Sequence, residues 1–590
     1  MNFYSDEKEW QWLFKSAIDW KTIIPLYFPT FPTEEGLNSP EEVIAFLEEL
    51  LSQTGEWTAN AVCNRAKEMD KHHAGHVENG KTIPNEYLNA LYRECVELGV
   101  FGLSVPKKYG GMALPFAMNL TLFAQISRAC LSSCTQIAFF TSIADMLDRF
   151  GPAEFKDKYI PQIISGEISG AMCLTEPGAG SDVGAIRTSA ILQENGTYRI
   201  SGTKAFITNG GGGLGYVLAR IKGEPEGLEG ISMFFVEQDI VGENGEKIQN
   251  YKVTKNEDKM GLHGSFTCEI VYENSLGYLV GEKNMGFQYM LHLMNEARLA
   301  VALQALGTIE GSLHYAKAYA EERIQFGVPL VELPLYRRNL QDYETERDAL
   351  RALIVDTISH YDIFQKLDQM QKDGKELSKE DKKLLKDAYL WTRKRTPLVK
   401  YYACEAATNL SQRAIQMLGG YGFMEEYSVG RYHRDSFAPL LYEGTSQVQA
   451  LMALKDIVKY AIKDPSRFFA NIFFKHPIGA IINKESETTK RYTTYHYIFK
   501  KRFIKLLIKC LKPQMGKIFN PKAWMEMERV NILMAHAETV CQALSYMETL
   551  RVLCYHANKD EQRRTLFVRY EKLIAPRLEA IYKDWSMEVE

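Results

Sequence analysis

The residues best suited to chemistry fall in three short segments. YEGTSQ, residues 442–447, sets Glu443 in a non-helical link, Tyr442-Glu443-Gly444, ahead of Thr445 and Ser446, whose hydroxyls suit the cap of a following helix. A carboxylate there can act as a general base when burial raises its pKa, or it can be a surface charge favoured by a helix dipole. Upstream, CLTEPGAGSD (173–182) places small residues around Pro177, with the hydroxyls of Thr175 and Ser181 beside backbone N–H groups. Such a loop lets backbone approach a polar cofactor, and it equally makes a tight turn into a β-domain. QMLGGYGF (416–423) ends an apolar helical run, so Gly419 and Gly420 read either as a helix C-cap or as a second backbone approach to a ligand.

These segments need a framework to hold them. Apolar residues at three-and-four spacing in SPEEVIAFLEELL and NEYLNALYRECVELGVFGL predict an N-terminal helical domain over 1–165, interrupted by an irregular turn at PKKYGGMALP. Over 166–282 the pattern changes to short alternating runs with Asn195-Gly196, Asn209-Gly210 and Asn244-Gly245 between them, pairs suited to hairpin turns, and a β-domain is expected. Helical periodicity returns over 283–463 as a bundle, with the charged stretch KLDQMQKDGKELSKEDKKLL read as a solvated helical hairpin. The polar stretch after DPSRFF opens a further helical domain, 464–590. The fold class is therefore α+β: helical domain, barrel- or sandwich-like β-domain, helical bundle and an extra helical domain.

A chain of 590 residues divides into several domains, and a formal net charge of -4 gives no global pull toward nucleic acid. Ten scattered cysteines without a CxxC pair point to packing and not to a metal site or a disulfide framework, and no apolar run has membrane-spanning length. The start, MNFYSDEKEW, has neither secretory nor transit-peptide character, so a cytoplasmic location is expected.

CLTEPGAGSD, FITNG, ERIQFG, QMLGGYGF and YEGTSQ, in this order within an α-β-α layout, resemble the acyl-CoA dehydrogenase family over roughly residues 80–460. KMGLHGS, the charged insertion and the extra C-terminal helices resemble its longer bacterial members. The resemblance implies flavin adenine dinucleotide (FAD) between the β-domain and the bundle. Thr175 and Ser181 would contact the flavin and its ribityl-phosphate arm, Thr208 would bond near N5, and Phe206 would cover the ring. Arg323, Gln325, Gln416, Gly419 and Gly420 would reach the pyrophosphate and adenosine of a cofactor shared with a neighbouring subunit, implying a homodimer or homotetramer. Thr445 and Gln447 match further cofactor contacts; Ser181, Arg298 and Gly444 match substrate positions; Glu443 matches the catalytic base. Some members carry the base immediately before the residue matching Arg298; here that residue is Ala297, and Glu296 is turned about 100° away on a helix. After ERIQFG the family's aromatic–Gln pair is replaced by Leu333 and Pro334.

The implied reaction takes the α proton of an acyl-CoA thioester with Glu443 while the β hydride goes to flavin N5, giving a 2-enoyl thioester. Electrons would pass to an electron-transferring flavoprotein, as in fatty-acid β-oxidation. The rival readings are an acyl-CoA oxidase that uses oxygen and a non-catalytic flavin-binding scaffold. Near the C-terminus, residues 484–523 hold eleven Lys or Arg against two acids. Over 494–512, Lys501, Arg502, Lys505, Lys509 and Lys512 project to one helical face and Phe499, Phe503, Leu506, Leu507 and Leu511 to the other. That face either docks peripherally on the inner face of a membrane or is simply solvated while the apolar face packs inward.

Overall fold

The computed structural model describes residues 1–242, 244–463, 477–512 and 527–587; the DPSRFF boundary lies outside them. Eight helices come first: α1 (Lys8–Trp12), α2 (Trp20–Tyr27), α3 (Pro40–Trp57), α4 (Cys63–His72), α5 (Glu86–Glu97), α6 (Phe116–Ala129), α7 (Leu131–Phe150) and α8 (Ala153–Ile164). Local rules start and stop them. Ser39 accepts from the Glu42 N–H, Pro40 takes the first helical position, and Val43, Leu47 and Leu51 form the buried stripe of α3. α5 opens on an Asn85 cap and stops at Glu97, short of the apolar run that follows it, because Gly99 turns left-handed at φ +67°. Between α4 and α5 lies a hairpin, β1 (Gly75–Glu78) and β2 (Lys81–Pro84), absent from the sequence-based expectation. Its turn, Asn79-Gly80, has positive φ at both residues, as a two-residue hairpin requires.

The β-domain holds β3 (Ser169–Cys173), β4 (Ser189–Leu192), β5 (Tyr198–Thr208), β6 (Gly213–Ile221), β7 (Ile231–Glu237), β8 (Asp239–Val241), β9 (Lys247–Gln249), β10 (Lys252–Asn256) and β11 (Thr267–Leu279). Strands β4, β5, β11, β7 and β6 pair in a closed ring, with β3 added on β6 and β10 on β11. This closure is the barrel-like form expected. Asn195-Gly196 and Asn244-Gly245 do join antiparallel neighbours, β4–β5 and β8–β9. Asn209-Gly210 does not: β5 and β6 are not paired, and this Asn-Gly is a buried crossover. Asn209 turns at φ +56° and donates to Ser169 Oγ (2.8 Å) and the Gly170 carbonyl (2.9 Å). A tight-turn signal was therefore used for a change of strand.

The bundle follows as α9 (Gly286–Glu322), α10 (Pro334–Lys372), α11 (Lys379–Met417), α12 (Val429–Ser436), α13 (Ala438–Leu441) and α14 (Ser446–Lys463). The charged interruption forms the facing ends of α10 and α11 around Gly374, a helical hairpin tip. Helices α6 and α9 cross at close range: a Cβ on Gly307 would stand 2.6 Å from Ser127 Cβ and 2.7 Å from the Ala124 carbonyl. That contact holds α9, which carries Arg298, against the N-terminal helices. The remaining described helices are α15 (Pro477–Ile482), α16 (Glu487–Leu511), α17 (Met527–Met534), α18 (Ala537–Lys559) and α19 (Arg564–Ser586).

In α16 the apolar face is consumed within the protein: Phe499, Phe503, Leu506, Leu507 and Leu511 are buried, with Trp585 of α19 edge-on to Phe503. Insertion of that face into a membrane is thereby removed, since burying it in lipid would mean taking it out of the core. Lys501, Arg502, Lys505 and Lys512 stay exposed and Lys509 is half-buried. The first helix ties distant parts together: Trp10 donates to Glu310 of α9 (3.0 Å), Trp12 donates to Asp560 (2.8 Å), and Glu9 pairs with Arg563.

Candidate active site

Glu443 lies between α13 and α14 at φ +56°, and Gly444 follows at φ +87°. Left-handed backbone at a non-glycine residue costs on the order of 1–2 kcal/mol, so surrounding contacts must hold it. Three donors do so through the two carbonyls. Arg298 Nε of α9 donates to the Glu443 carbonyl at 3.2 Å; Gln449 Nε2 of α14 donates to both carbonyls at 3.1 Å; Lys400 Nζ of α11 donates to the Gly444 carbonyl at 2.7 Å. The Thr445 hydroxyl accepts from the Val448 N–H, capping α14. Tyr442 anchors the other side of the link by donating to Gln304 at 2.6 Å.

The carboxyl itself is left without these partners. Glu443 Oε2 is buried with no hydrogen bond among the described residues, so that lone pair is left open to a ligand. Burial pushes the Glu443 pKa up to about 7, outweighing the nearby Arg298 and Lys400 cations, which pull it down. A half-buried carboxyl with a pKa near neutrality, an unpartnered oxygen and an imposed orientation is fitted to take a proton.

The structure also separates Glu296 from this role. Its carboxylate accepts from Ser142 of α7 (3.5 Å) and Gln365 of α10 (3.3 Å), while Arg298 on the same helix faces Glu443. Ala297 contributes no acid or base.

The cofactor candidates form two groups. Thr175 and Phe206 are neighbours, because the Thr175 carbonyl accepts from the Ala205 N–H; Phe206 stands 63% exposed at φ +59°, and Thr208 ends the same strand. Ser181 is exposed on the loop, which is pinned by paired backbone bonds between Glu176 and Ala179. The second group, Arg323, Gln325, Gln416, Gly419 and Gly420, lines one open cavity of about 540 Å³. Leu333 lines it too, and the aromatic wall comes from Tyr319, Tyr336 and Tyr421, which the sequence reading missed. Gln447 is exposed and Thr445 half-buried beside Glu443. No hydrogen bond or ion pair among the described residues joins the two groups within one chain.

Both loops fit a large cofactor held through backbone. Gly178 and Gly420 have ordinary φ, and a Cβ on either would meet nothing within 4 Å. Neither turn geometry nor internal packing demands glycine there, whereas a ligand lying on the backbone does.

Sequence reasoning did not single out Lys400, Gln449 or Gln304. A signal for Lys400 existed: it is the one charge in the apolar run Leu398–Ala403 of a helix, and it is fully buried.

Helices on both sides of a closed β-domain, with Glu443 in the second helical layer, define an α-β-α architecture. Family models for the acyl-CoA dehydrogenase N-terminal, middle and C-terminal domains match residues 48–167, 171–275 and 284–458. The chain belongs to the acyl-CoA dehydrogenase family. It is 34% identical over 390 residues to 3-methylmercaptopropionyl-CoA dehydrogenase of Ruegeria pomeroyi, spanning 63% of this chain and 64% of that protein. It is 33% identical over 375 residues to an acyl-CoA dehydrogenase of Bacillus subtilis, spanning 63% and 90%. The solved structure of an acyl-CoA dehydrogenase complexed with FAD from Bacillus anthracis superposes with a TM-score of 0.75 at 22% identity, covering 92% of this chain and 89% of that one. That likeness carries the fold through most of the chain, including much of the C-terminal extension.

Proposed function

We propose that the protein is an FAD-dependent acyl-CoA dehydrogenase in which Glu443 removes the α proton of the thioester. The observation that carries this reading is the Glu443 carboxyl: its Oε2 is buried without a partner among the described residues, and its pKa is raised to about 7. When bound, FAD supplies the acceptor for the β hydride. Thr175, Ser181, Phe206 and Thr208 hold the flavin end from the β-domain, and Thr445 and Gln447 add contacts beside the base. Arg323, Gln325, Gln416, Gly419 and Gly420 hold the adenosine-pyrophosphate end of a cofactor shared across a homo-oligomer. The Glu443 and Gly444 N–H groups make no hydrogen bond within the described residues. Stabilising the thioester oxygen as charge grows there is worth several kcal/mol, and these two N–H groups are the donors proposed to do it.

An electron-transferring flavoprotein is the proposed acceptor, and fatty-acid β-oxidation the proposed setting. Hydrogen peroxide release in air would assign an oxidase instead. Glu443→Gln is expected to retain bound yellow flavin and to lose turnover with acyl-CoA; normal activity in that variant would remove Glu443 as the base. Peripheral membrane contact over 494–512 is proposed in electrostatic form only, through the exposed Lys501, Arg502 and Lys505. Co-sedimentation with phosphatidylserine vesicles should weaken when these three become Glu, and no binding by the parent protein would end that idea.

A further inference from the structure

Lys400 is a buried ammonium with an unusual employment. It sits mid-way along α11, fully buried, and no carboxylate pairs with it among the described residues. Its hydrogen bond goes to the Gly444 carbonyl at 2.7 Å. Burying a cation against a backbone carbonyl is expensive, and burial accordingly lowers the Lys400 pKa. A neutral side chain of similar length would fill the same space without that penalty, so packing alone does not account for the charge.

Its position accounts for it. Glu443 and Gly444 are both left-handed, a conformation the link does not adopt by its own preference at Glu443. A trans peptide is planar, so holding its carbonyl fixes the whole unit. Arg298 and Gln449 hold the peptide before Gly444; Lys400 and Gln449 hold the one after it. Together they set the direction in which the Glu443 side chain leaves the backbone. We infer that Lys400 is a positioning residue for Glu443, its buried ammonium pinning the Gly444 carbonyl and placing a fixed positive charge beside the carboxyl. This deepens the proposed reading of Glu443 as the base and rests on it.

The charge has a direction of effect. The cations acting on the carboxyl are Arg298 of α9 and Lys400 of α11, with Tyr442 beside it in the link; Cys404 and Glu405 of α11 act on Lys400 in turn, and neutral Gln449 of α14 bonds the Glu443 carbonyl. Lys400 and Arg298 favour the ionised form against burial; deleting one cation leaves burial less opposed and raises the carboxyl midpoint.

Two variants separate anchor from charge. Lys400→Met loses both, while Lys400→Gln loses the charge and retains an amide donor, one bond shorter, on the side of the carbonyl. The primary readout is the Glu443 midpoint itself, followed by 13C-carboxyl titration of the flavin-loaded protein and assigned by subtracting Glu443→Gln. Both variants should titrate above the parent's midpoint. In steady state, Lys400→Met should lose about tenfold or more in kcat with little change in KM, and Lys400→Gln should lose less. An unchanged midpoint in both variants would overturn the inference, whatever happens to activity, since a purely structural lysine predicts that result. If Lys400→Met does not fold, the Lys400→Gln midpoint decides alone. Failure of the parent to oxidise acyl-CoA would overturn the proposed function and leave the titration readable.

Discussion

Two glutamates in one helical bundle, half-buried Glu443 and fully buried Glu296, show what distinguishes a candidate base from a packed acid. Burial raises the pKa of both, and for Glu296 the neighbouring Asp145 raises it further. Glu296, 4% exposed, has both oxygens engaged by Ser142 and Gln365 across α7 and α10. Glu443 has an oxygen with no partner, a strained backbone and three donors that hold its carbonyl and its neighbour's instead of its carboxylate. A raised pKa is thus shared by both, and the available lone pair by only one. Perturbed titration marks candidates; geometry sorts them.

The comparison can be broken by substitution. The largest effect is expected for Glu443→Gln, a loss of about 10³-fold or more in kcat with flavin retained, measured by anaerobic flavin bleaching with acyl-CoA. Next comes Gly444→Ala: φ is +87° and the new Cβ would stand 2.7 Å from Gln449 Nε2. That change should cost about 1–3 kcal/mol of stability and about tenfold in kcat, read by thermal unfolding and steady-state kinetics. The pH profile should follow. Glu443 must be ionised to accept a proton, so kcat should rise with pH through a midpoint of about 7. Its folded pKa lies above the ordinary glutamate value, so ionising it destabilises the fold, with the penalty absent below about 4.5, growing between there and about 7, and complete above. Glu443→Gln should therefore gain stability relative to the parent at pH 8 and not at pH 4. The smallest effect is expected for Glu296→Gln, which mimics the neutral acid: kcat within about threefold and stability within about 1 kcal/mol. A large kcat loss there, with the fold intact, would erase the distinction between the two acids.

Much of the fold was legible because local signals agreed with the final layers. Helix caps at Ser39 and Asn85 and the alternation of the β-domain are short-range statements. The β1–β2 hairpin was also written locally, in Asn79-Gly80, and was overlooked within a stretch read as helix. Asn209-Gly210 failed for a different reason: the same dipeptide suits any left-handed turn, and whether the flanking strands pair is decided by β4, which pairs with both β5 and β6 and so lies between them. Likewise the amphipathic pattern of α16 is genuine, yet only packing shows that its apolar face meets Trp585 within the protein.

The sequence by itself determined the kinds of residue available: a carboxylate in a non-helical link before a helix cap, two glycine-bearing loops, and an alanine where an alternative base would stand. The carboxylate and the loops follow from residue type and spacing along one stretch of chain; the reading of the alanine follows from the family resemblance. Only the tertiary structure decided that Arg298, Lys400 and Gln449, from three helices, converge on two carbonyls, and that Glu443 Oε2 is buried alone. The reason is physical. Positive φ at Glu443 is sustained by groups 145, 43 and 6 positions away, reckoned from 298, 400 and 449 to 443, and its pKa near 7 comes from desolvation, a property of the packed interior that no segment possesses until the others surround it.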